Sequence, residues 1–127
     1  MMGINAISTD QAPAAIGPYS QGISAGSWHF ISGQLGMDPA TGELVSEDLA
    51  GQARQALANL KAVIEAAGCS LNQVVAVDVF LTSMGDFVEF NGIYEAFFEG
   101  HKPARAVVEV AGLPKGACIE IKCILNG

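Results

Sequence analysis

Short runs of β-branched residues, or of alternating apolar and polar residues, predict five β-strands. Residues 20–25 and 28–33 form the first hairpin. The three later strands cover residues 74–81, 105–110 and 118–125. A turn through residues 113–116, which contains Pro and Gly, separates the last two strands and favours a second hairpin.

Helical spacing of apolar residues predicts two helices. The first covers residues 47–67, with Ser46 as its N-cap and Gly68 at the C′ position. The second covers residues 86–99. Its aromatic residues recur at helical spacing and are Phe87, Phe90, Tyr94, Phe97 and Phe98. Such a stripe is typical of a helix face that packs into a core.

The element order β-β-α-β-α-β-β predicts an α+β fold with two helices packed on one face of a mixed sheet. A chain of 127 residues corresponds to a single domain, residues 1–127. Half of the residues are hydrophobic and only 15% are charged, whereas about 25% are charged in an average domain. With no third helix, a partner subunit is the expected cover for the second sheet face.

The formal net charge is −7, and the first basic residue is Arg54. This balance argues against a nucleic-acid partner and against a signal or transit peptide. The apolar runs are far shorter than the ~20 residues that cross a bilayer, so no membrane association and a cytoplasmic location are expected.

Cysteine and histidine are few in this chain. Cys69, Cys118 and Cys123 form no Cys-x-x-Cys pair and lie in apolar stretches, which indicates buried free thiols. His29 and His101 stand alone, without a second ligand at metal spacing. We therefore expect neither a metal nor a cofactor.

Candidate chemistry centres on Arg105, which begins a β-branched strand, and on Glu120, which interrupts an apolar alternation. A guanidinium presents a planar fork of donors that fits a carboxylate, so Arg105 is a candidate anchor for a small carboxylic acid. The predicted hairpin would bring Arg105 and Glu120 close together. The alternative is a structural ion pair of Arg105 with Glu120 or with Glu109.

Other polar candidates are Tyr19, Ser32, Gly33 and Asn91. Gly33 allows backbone N–H groups to face a ligand. Tyr19 is either a lid or an anchored loop aromatic. Asn91 interrupts the apolar stripe of the second helix, and it either contacts a ligand or hydrogen-bonds a loop backbone.

Several motifs resemble those of the reactive intermediate deaminase (Rid) or YjgF family, and most closely its RidA group of 2-iminobutanoate/2-iminopropanoate deaminases. The similarity covers nearly the whole chain. It rests on Ala12-Pro13, Ile16–Gln21, Ser32–Gln34, Gln52–Leu57, Asn91-x-x-Tyr94-x-x-Phe97-Phe98, and the run from Pro103-Ala104-Arg105 to Ile119-Glu120-Ile121. Many relatives carry Cys where this chain has Val107.

The resemblance implies a chorismate-mutase-like subunit and a homotrimer with a central β-barrel-like core and sites between subunits. It implies that Arg105 binds the substrate carboxylate and that Glu120 holds the attacking water. It also implies that Tyr19, Ser32, Gly33, Asn91 and Val107 line the cleft, with Val107 contributing its backbone. The expected activity is hydrolysis of 2-imino acids to 2-oxo acids and ammonia, without a metal.

Three other functions remain open at this point. The cleft could bind a small carboxylate as a regulatory module without turnover. An endoribonuclease that inhibits translation is the second alternative, although the acidic composition and the lack of a histidine pair argue against it. The third is a chaperone-like holdase, which depends on exposed apolar surface.

Overall fold

Six strands form one mixed sheet in the structure, a computed structural model that describes residues 3–127. In chain order they are β1 (Ile4–Ile7), β2 (Gly22–Ala25), β3 (Trp28–Gln34), β4 (Val74–Leu81), β5 (Ala104–Glu109) and β6 (Ile119–Asn126). Helix α1 (Leu49–Ala66) joins β3 to β4, and helix α2 (Phe87–Phe98) joins β4 to β5. The order across the sheet is β1-β2-β3-β6-β4-β5. The predicted α+β fold is confirmed.

The sequence does not predict β1. This strand has only four residues, three of them exposed, so its burial pattern carries little signal. It forms because its backbone pairs antiparallel with β2, Ile4 opposite Ala25 and Ile7 opposite Gly22. The predicted first hairpin, β2 with β3, therefore lies between β1 on one side and β6 on the other, and both outer pairings are antiparallel.

The predicted hairpin between the last two strands is wrong. Strand β4 lies between them, parallel to β5 and antiparallel to β6. A strand–helix–strand connection normally places its two strands side by side and parallel, so α2 brings β5 next to β4. Strand β6 then pairs with the other edge of β4, and residues 113–116 belong to the longer connection that returns the chain across the sheet.

Both helices pack on the same side of the sheet, which we call the covered face; the opposite side is the open face. Alternate residues of β6 are fully buried under the helices, including Ile119 and Ile121. Helix α1 contributes Leu60 and Ile64 to the same core, and α2 contributes Phe90. The predicted apolar stripes of both helices thus point into one hydrophobic cluster.

Helix α1 begins two residues later than predicted. Asp48, and not Ser46, is its N-cap, and the Asp48 carboxylate accepts a hydrogen bond from the Gly51 N–H at 3.1 Å. The Ser46 hydroxyl supports the cap by donating to Asp48 Oδ1 at 2.6 Å. Gly68 follows the helix with a φ of +81°, as predicted for the C′ position.

The open face carries large apolar side chains that no element in residues 3–127 covers. Trp28 is 46% exposed, and Phe30 and Val108 are each 44% exposed. Phe30 lies on β3 between two half-buried isoleucines, Ile23 on β2 and Ile124 on β6. No helix in the described residues is long and apolar enough to cross a bilayer.

Candidate functional site

Arg105 lies on the edge strand β5, and its side chain projects from the covered face beside α2. Its register partner is Val77, a buried residue of β4. Its Nη1 atom donates a hydrogen bond to Oδ1 of Asn91 at 2.7 Å. The guanidinium carbon lies 4.7 Å from the ring centroid of Tyr94. The groups that hold Arg105 are thus a neutral amide and an aromatic face, and its positive charge stays available.

A pocket of about 340 Å³ opens beside Arg105 and is also lined by Asn91 and Tyr94. Lys102 and Arg105 supply two of the six Lys and Arg side chains of the whole chain, and Glu95 is the carboxylate in the lining. In a protein with a net charge of −7 this is a local concentration of positive charge. The pocket therefore suits a small anion.

Val107 lies two residues beyond Arg105 and projects to the same face, opposite Val79 of β4. Its side chain is half-buried against the core. An isopropyl group cannot donate or accept a hydrogen bond, so this position can hydrogen-bond a ligand only through its backbone. Chemistry that requires a thiol at this position is absent from this chain.

Glu120 projects from β6 to the open face, where a cleft of about 870 Å³ is present. Tyr19, Ser32 and Gly33 line the same cleft. The wall is largely apolar and is completed by Ile16, Leu35, Met37 and Pro114. The cleft thus presents the Glu120 carboxylate among largely apolar groups, and the Lys115 ammonium and the amides of Gln21 and Gln34 also belong to its lining.

Gly33 is required at its position because Glu120 packs directly against it. A Cβ atom built on Gly33 would overlap the Glu120 carboxylate. Two hydrogen bonds fix the neighbouring Ser32: its hydroxyl donates to Ser20 O at 2.6 Å, and its backbone N–H donates to Gln21 O at 2.9 Å. Strand β3 thereby shapes the space in which the carboxylate lies.

Burial raises the pKa of the Glu120 carboxyl above its ordinary value, an effect that the positive charge of Lys122 partly offsets. A carboxylate with a raised pKa is a stronger base than an exposed one. Glu120 can therefore orient a water molecule and accept part of its proton.

Arg105 and Glu120 lie on opposite faces of the same sheet. Arg105 shares its face with Val77 and Cys123, whereas Glu120 pairs with Phe80 on the other face. This geometry excludes the Arg105–Glu120 ion pair considered above. Glu109 shares the face of Arg105 but lies four residues along the strand, ~13 Å away in extended chain. The Glu109 carboxylate accepts instead from the Met84 N–H at 2.7 Å.

The predicted site residues therefore fall into two groups. Asn91, Arg105 and Val107 lie on the side of the sheet that carries α2, and Tyr19, Ser32, Gly33 and Glu120 lie at the open-face cleft. We call these the arginine half-site and the glutamate half-site. Each is well formed within one chain, and one chain does not bring them together.

Three buried amides outside the predicted site residues fix backbone segments near the glutamate half-site. The Asn59 side chain donates to the carbonyls of Leu35 and Met37, at 3.0 and 2.9 Å. The Gln52 side chain donates to Ser46 O and accepts from the Cys118 N–H, at 3.0 and 2.9 Å.

The third amide, Gln21, donates to Thr9 O and Pro13 O and so holds the N-terminal loop. The sequence signal for two of these amides is their spacing: Gln52 and Asn59 are seven residues apart, which places both on the buried face of α1.

The histidines are engaged in structural contacts. His29 is buried on β3, and its ring nitrogens lie 2.7 Å from Ser24 Oγ and 3.0 Å from Gly127 O. His101 Nε2 lies 2.8 Å from Val74 O. Across residues 3–127 there is no group of three or more His, Cys, Asp or Glu side chains that could hold a metal.

Comparisons with known proteins agree on one family. The family described as Endoribonuclease L-PSP matches residues 9–126. A RutC family protein of Pyrococcus horikoshii is 52% identical over 118 residues, which are 93% of this chain and 94% of that protein. A 2-iminobutanoate/2-iminopropanoate deaminase of Salmonella typhimurium is 51% identical over 121 residues, 93% of this chain and 94% of its own.

Among solved structures, Escherichia coli TdcF with bound serine superimposes with a TM-score of 0.92 at 43% identity. The superposition covers 97% of this chain and 98% of that one. The resemblance first seen in short motifs therefore extends over the whole fold.

Proposed function

The chain belongs to the endoribonuclease L-PSP family, to which the YjgF proteins also belong, and we propose that it hydrolyses 2-imino acids and their enamine tautomers to 2-oxo acids and ammonia. The observation that carries this proposal is Arg105, a cation whose partners are neutral, beside a pocket that suits a small anion. A relative named as a 2-iminobutanoate/2-iminopropanoate deaminase supports the substrate class. The serine bound to TdcF carries the same α-carboxylate as a 2-imino acid.

The reaction adds water across a C=N bond and then releases ammonia. Arg105 binds the substrate carboxylate through two parallel hydrogen bonds, each contributing roughly 1.5–3 kcal/mol as a charge-assisted contact. Glu120 orients a water molecule toward the imine carbon and takes up part of its proton. The tetrahedral adduct then loses ammonia as its hydroxyl forms the carbonyl of the 2-oxo acid. The imine carbon is electrophilic, so positioning of the two reactants is the main requirement.

We further propose that the complete site forms between two copies of the chain. The two half-sites lie on opposite faces of one sheet, so the carboxylate anchor of one copy must meet Glu120 of another. The open face carries the exposed apolar surface that such a contact would bury. The resemblance to the YjgF family implies a closed ring of three, with the open faces forming a central barrel.

Mixing two inactive variants tests both the function and the shared site. Arg105→Ala removes the anchor and Glu120→Gln removes the base, and we expect each to lower kcat/KM by at least about tenfold. When the two variants are refolded together in equal amounts, about a quarter of the sites receive both native residues, and a corresponding activity returns. Imines generated by an amino-acid oxidase, with semicarbazide trapping of what remains, report the rate.

The matched control mixes Arg105→Ala with the double variant Arg105→Ala/Glu120→Gln, which cannot rebuild any site and should stay inactive. Mixed oligomers are verified by tagging one variant and isolating the tagged assemblies. Verified mixed oligomers without recovered activity would contradict a site shared between copies. Near-normal turnover by Arg105→Ala alone would show that imine hydrolysis does not depend on this residue. Carboxylate binding by the native protein without turnover would favour a regulatory module.

A further inference from the structure

We infer that Phe87, Asn91 and Tyr94 of α2 form a cradle that fixes the Arg105 guanidinium in the orientation needed to bind the substrate carboxylate. The inference rests on the proposed function and adds positioning residues to it. Phe87 and Tyr94 contact the arginine as aromatic faces, and Asn91 as a hydrogen-bond acceptor. None of the three needs to touch the reacting atoms.

The cradle follows from helical spacing. Residues 87, 91 and 94 are separated by four and three positions, so their side chains share one face of α2. That face lies beside Arg105 on the edge strand. The guanidinium carbon is 4.7 Å from the Tyr94 centroid and 5.7 Å from the Phe87 centroid, and Nη1 is 2.7 Å from Asn91 Oδ1. The cation therefore contacts two aromatic rings and one amide oxygen of the same helix.

An exposed arginine on an edge strand loses considerable side-chain freedom when it binds a ligand. A group that is already held loses less, so the cradle should raise affinity for the carboxylate without adding a contact to it. One N–H of Nη1 is used by Asn91, which leaves the remaining donors of the fork for the ligand.

The chemical identity of residue 91 is informative. A carboxylate at this position would hold the guanidinium equally well but would neutralise it and compete with the substrate. The neutral amide fixes the cation and leaves its charge free. Asn91→Asp, which changes the charge and little of the shape, should therefore weaken ligand binding at least as strongly as Asn91→Ala.

Tyr94 should act through its ring and not through its hydroxyl. The residue is only 8% exposed, and within residues 3–127 its hydroxyl has no hydrogen-bond partner. Tyr94→Phe keeps the aromatic face under the guanidinium, and Tyr94→Leu removes it. The pair separates the stacking contact from the hydroxyl.

The experiment measures binding and turnover in parallel. Calorimetry with 2-oxobutanoate, the product of 2-iminobutanoate hydrolysis, gives Kd, and the imine assay gives kcat and KM. We expect Asn91→Ala, Asn91→Asp and Tyr94→Leu to raise Kd and KM about tenfold, the equivalent of one charge-assisted hydrogen bond, with kcat little changed. Tyr94→Phe should keep the native values of Kd and KM. In an Arg105→Ala background the same substitutions should have no further effect on Kd, because they act only through the arginine.

Unchanged Kd in Asn91→Ala and Tyr94→Leu, or equal losses with and without Arg105, would overturn the cradle and leave the proposed function standing. Unchanged Kd in Arg105→Ala itself would overturn the carboxylate anchor and the cradle with it. Because Tyr94 is a core residue, thermal melting and gel filtration verify folding. Asn91 is only half-buried, so its two variants decide the question if Tyr94→Leu does not fold.

Discussion

At the scale of single residues, the candidate site depends on two charged groups, Arg105 and Glu120, that are held in place by uncharged neighbours. Arg105 is held by Asn91 and Tyr94, which leave its charge unneutralised. Glu120 is held by close packing against Gly33, and burial raises its pKa. Both charges therefore remain available to a third molecule, which is the condition for binding and catalysis.

Gly33→Ala should lower turnover while preserving the fold. The new methyl group would overlap the Glu120 carboxylate, which lies at the end of a flexible side chain and can move aside at little cost in stability. A displaced carboxylate no longer aims its water at the imine carbon, so we expect kcat to fall about tenfold or more. Kinetics and thermal melting check this. Gly112→Ala is the control, because Gly112 does not line the cleft, has no positive φ and leaves open space for an added Cβ atom. Wild-type kcat in a folded Gly33→Ala would argue against the role of Glu120.

The cysteines should be irrelevant to catalysis. Burial raises the pKa of Cys123 to about 12 and also raises the pKa values of Cys69 and Cys118, so thiolate is scarce at neutral pH. Because only the thiolate reacts, alkylation of Cys123 by iodoacetamide should be slow at pH 7 and rise toward pH 10 without a plateau. Peptide mapping by mass spectrometry measures the labelling, and rapid labelling of Cys123 in the folded protein would contradict the prediction.

At the scale of elements, helix α1 has a second function beyond closing the core. Its amides at Gln52 and Asn59 bind the backbone of the segment that follows β3, where Leu35 and Met37 line the cleft. A fully buried amide is tolerated only because its hydrogen bonds are made. The helix thus fixes one wall of the glutamate half-site.

Asn59→Ala should destabilise the protein by about 2 kcal/mol, because it leaves the carbonyls of Leu35 and Met37 without their donor in a buried region. Denaturant unfolding measures the loss. Asn72→Ala is the matched control, since Asn72 is exposed, and it should change stability by less than about 0.5 kcal/mol. Equal effects of the two substitutions would show that the Asn59 hydrogen bonds contribute little.

At the scale of the whole molecule, the sheet has one face covered by helices and one face with exposed Trp28, Phe30 and Val108. The same sheet separates Arg105 from Glu120. A second copy packed on the open face would account for both features, because it would bury the apolar residues and bring its arginine half-site to the cleft of the first copy. This is the physical basis for the proposed assembly.

Phe30→Glu should break the assembly and abolish turnover, because it places a charge in the middle of the surface that we expect to be buried. Sedimentation or light scattering measures the mass. Val88→Glu is the control: Val88 is 82% exposed on α2, and the same change there should leave both mass and activity intact. An unchanged mass for Phe30→Glu would mean that another surface joins the copies.

Agreement between sequence and structure is best where the signal is local. The helix-capping glycine Gly68 and the alternation of buried and exposed residues in β6 are predicted correctly, since each depends on a few neighbouring residues. Strand β1 escapes notice because its partner, and not its composition, makes it a strand. The sequence leaves the role of Asn91 open between a contact with a ligand and a hydrogen bond to a loop backbone. In the fold its side chain accepts a hydrogen bond from Arg105.

The amino-acid sequence by itself determined which residues share a face of each element, because the periods of 2.0 and 3.6 residues are properties of the local backbone. It also marked Arg105 and Glu120 as candidates by their places in the strand pattern, and it carried the family resemblance that implies their roles. Only the tertiary structure decided that β4 lies between their strands and that the two side chains project from opposite faces. Strand neighbours are selected by packing across the whole sheet, to which residues far apart in the chain contribute together, and no local pattern encodes that choice.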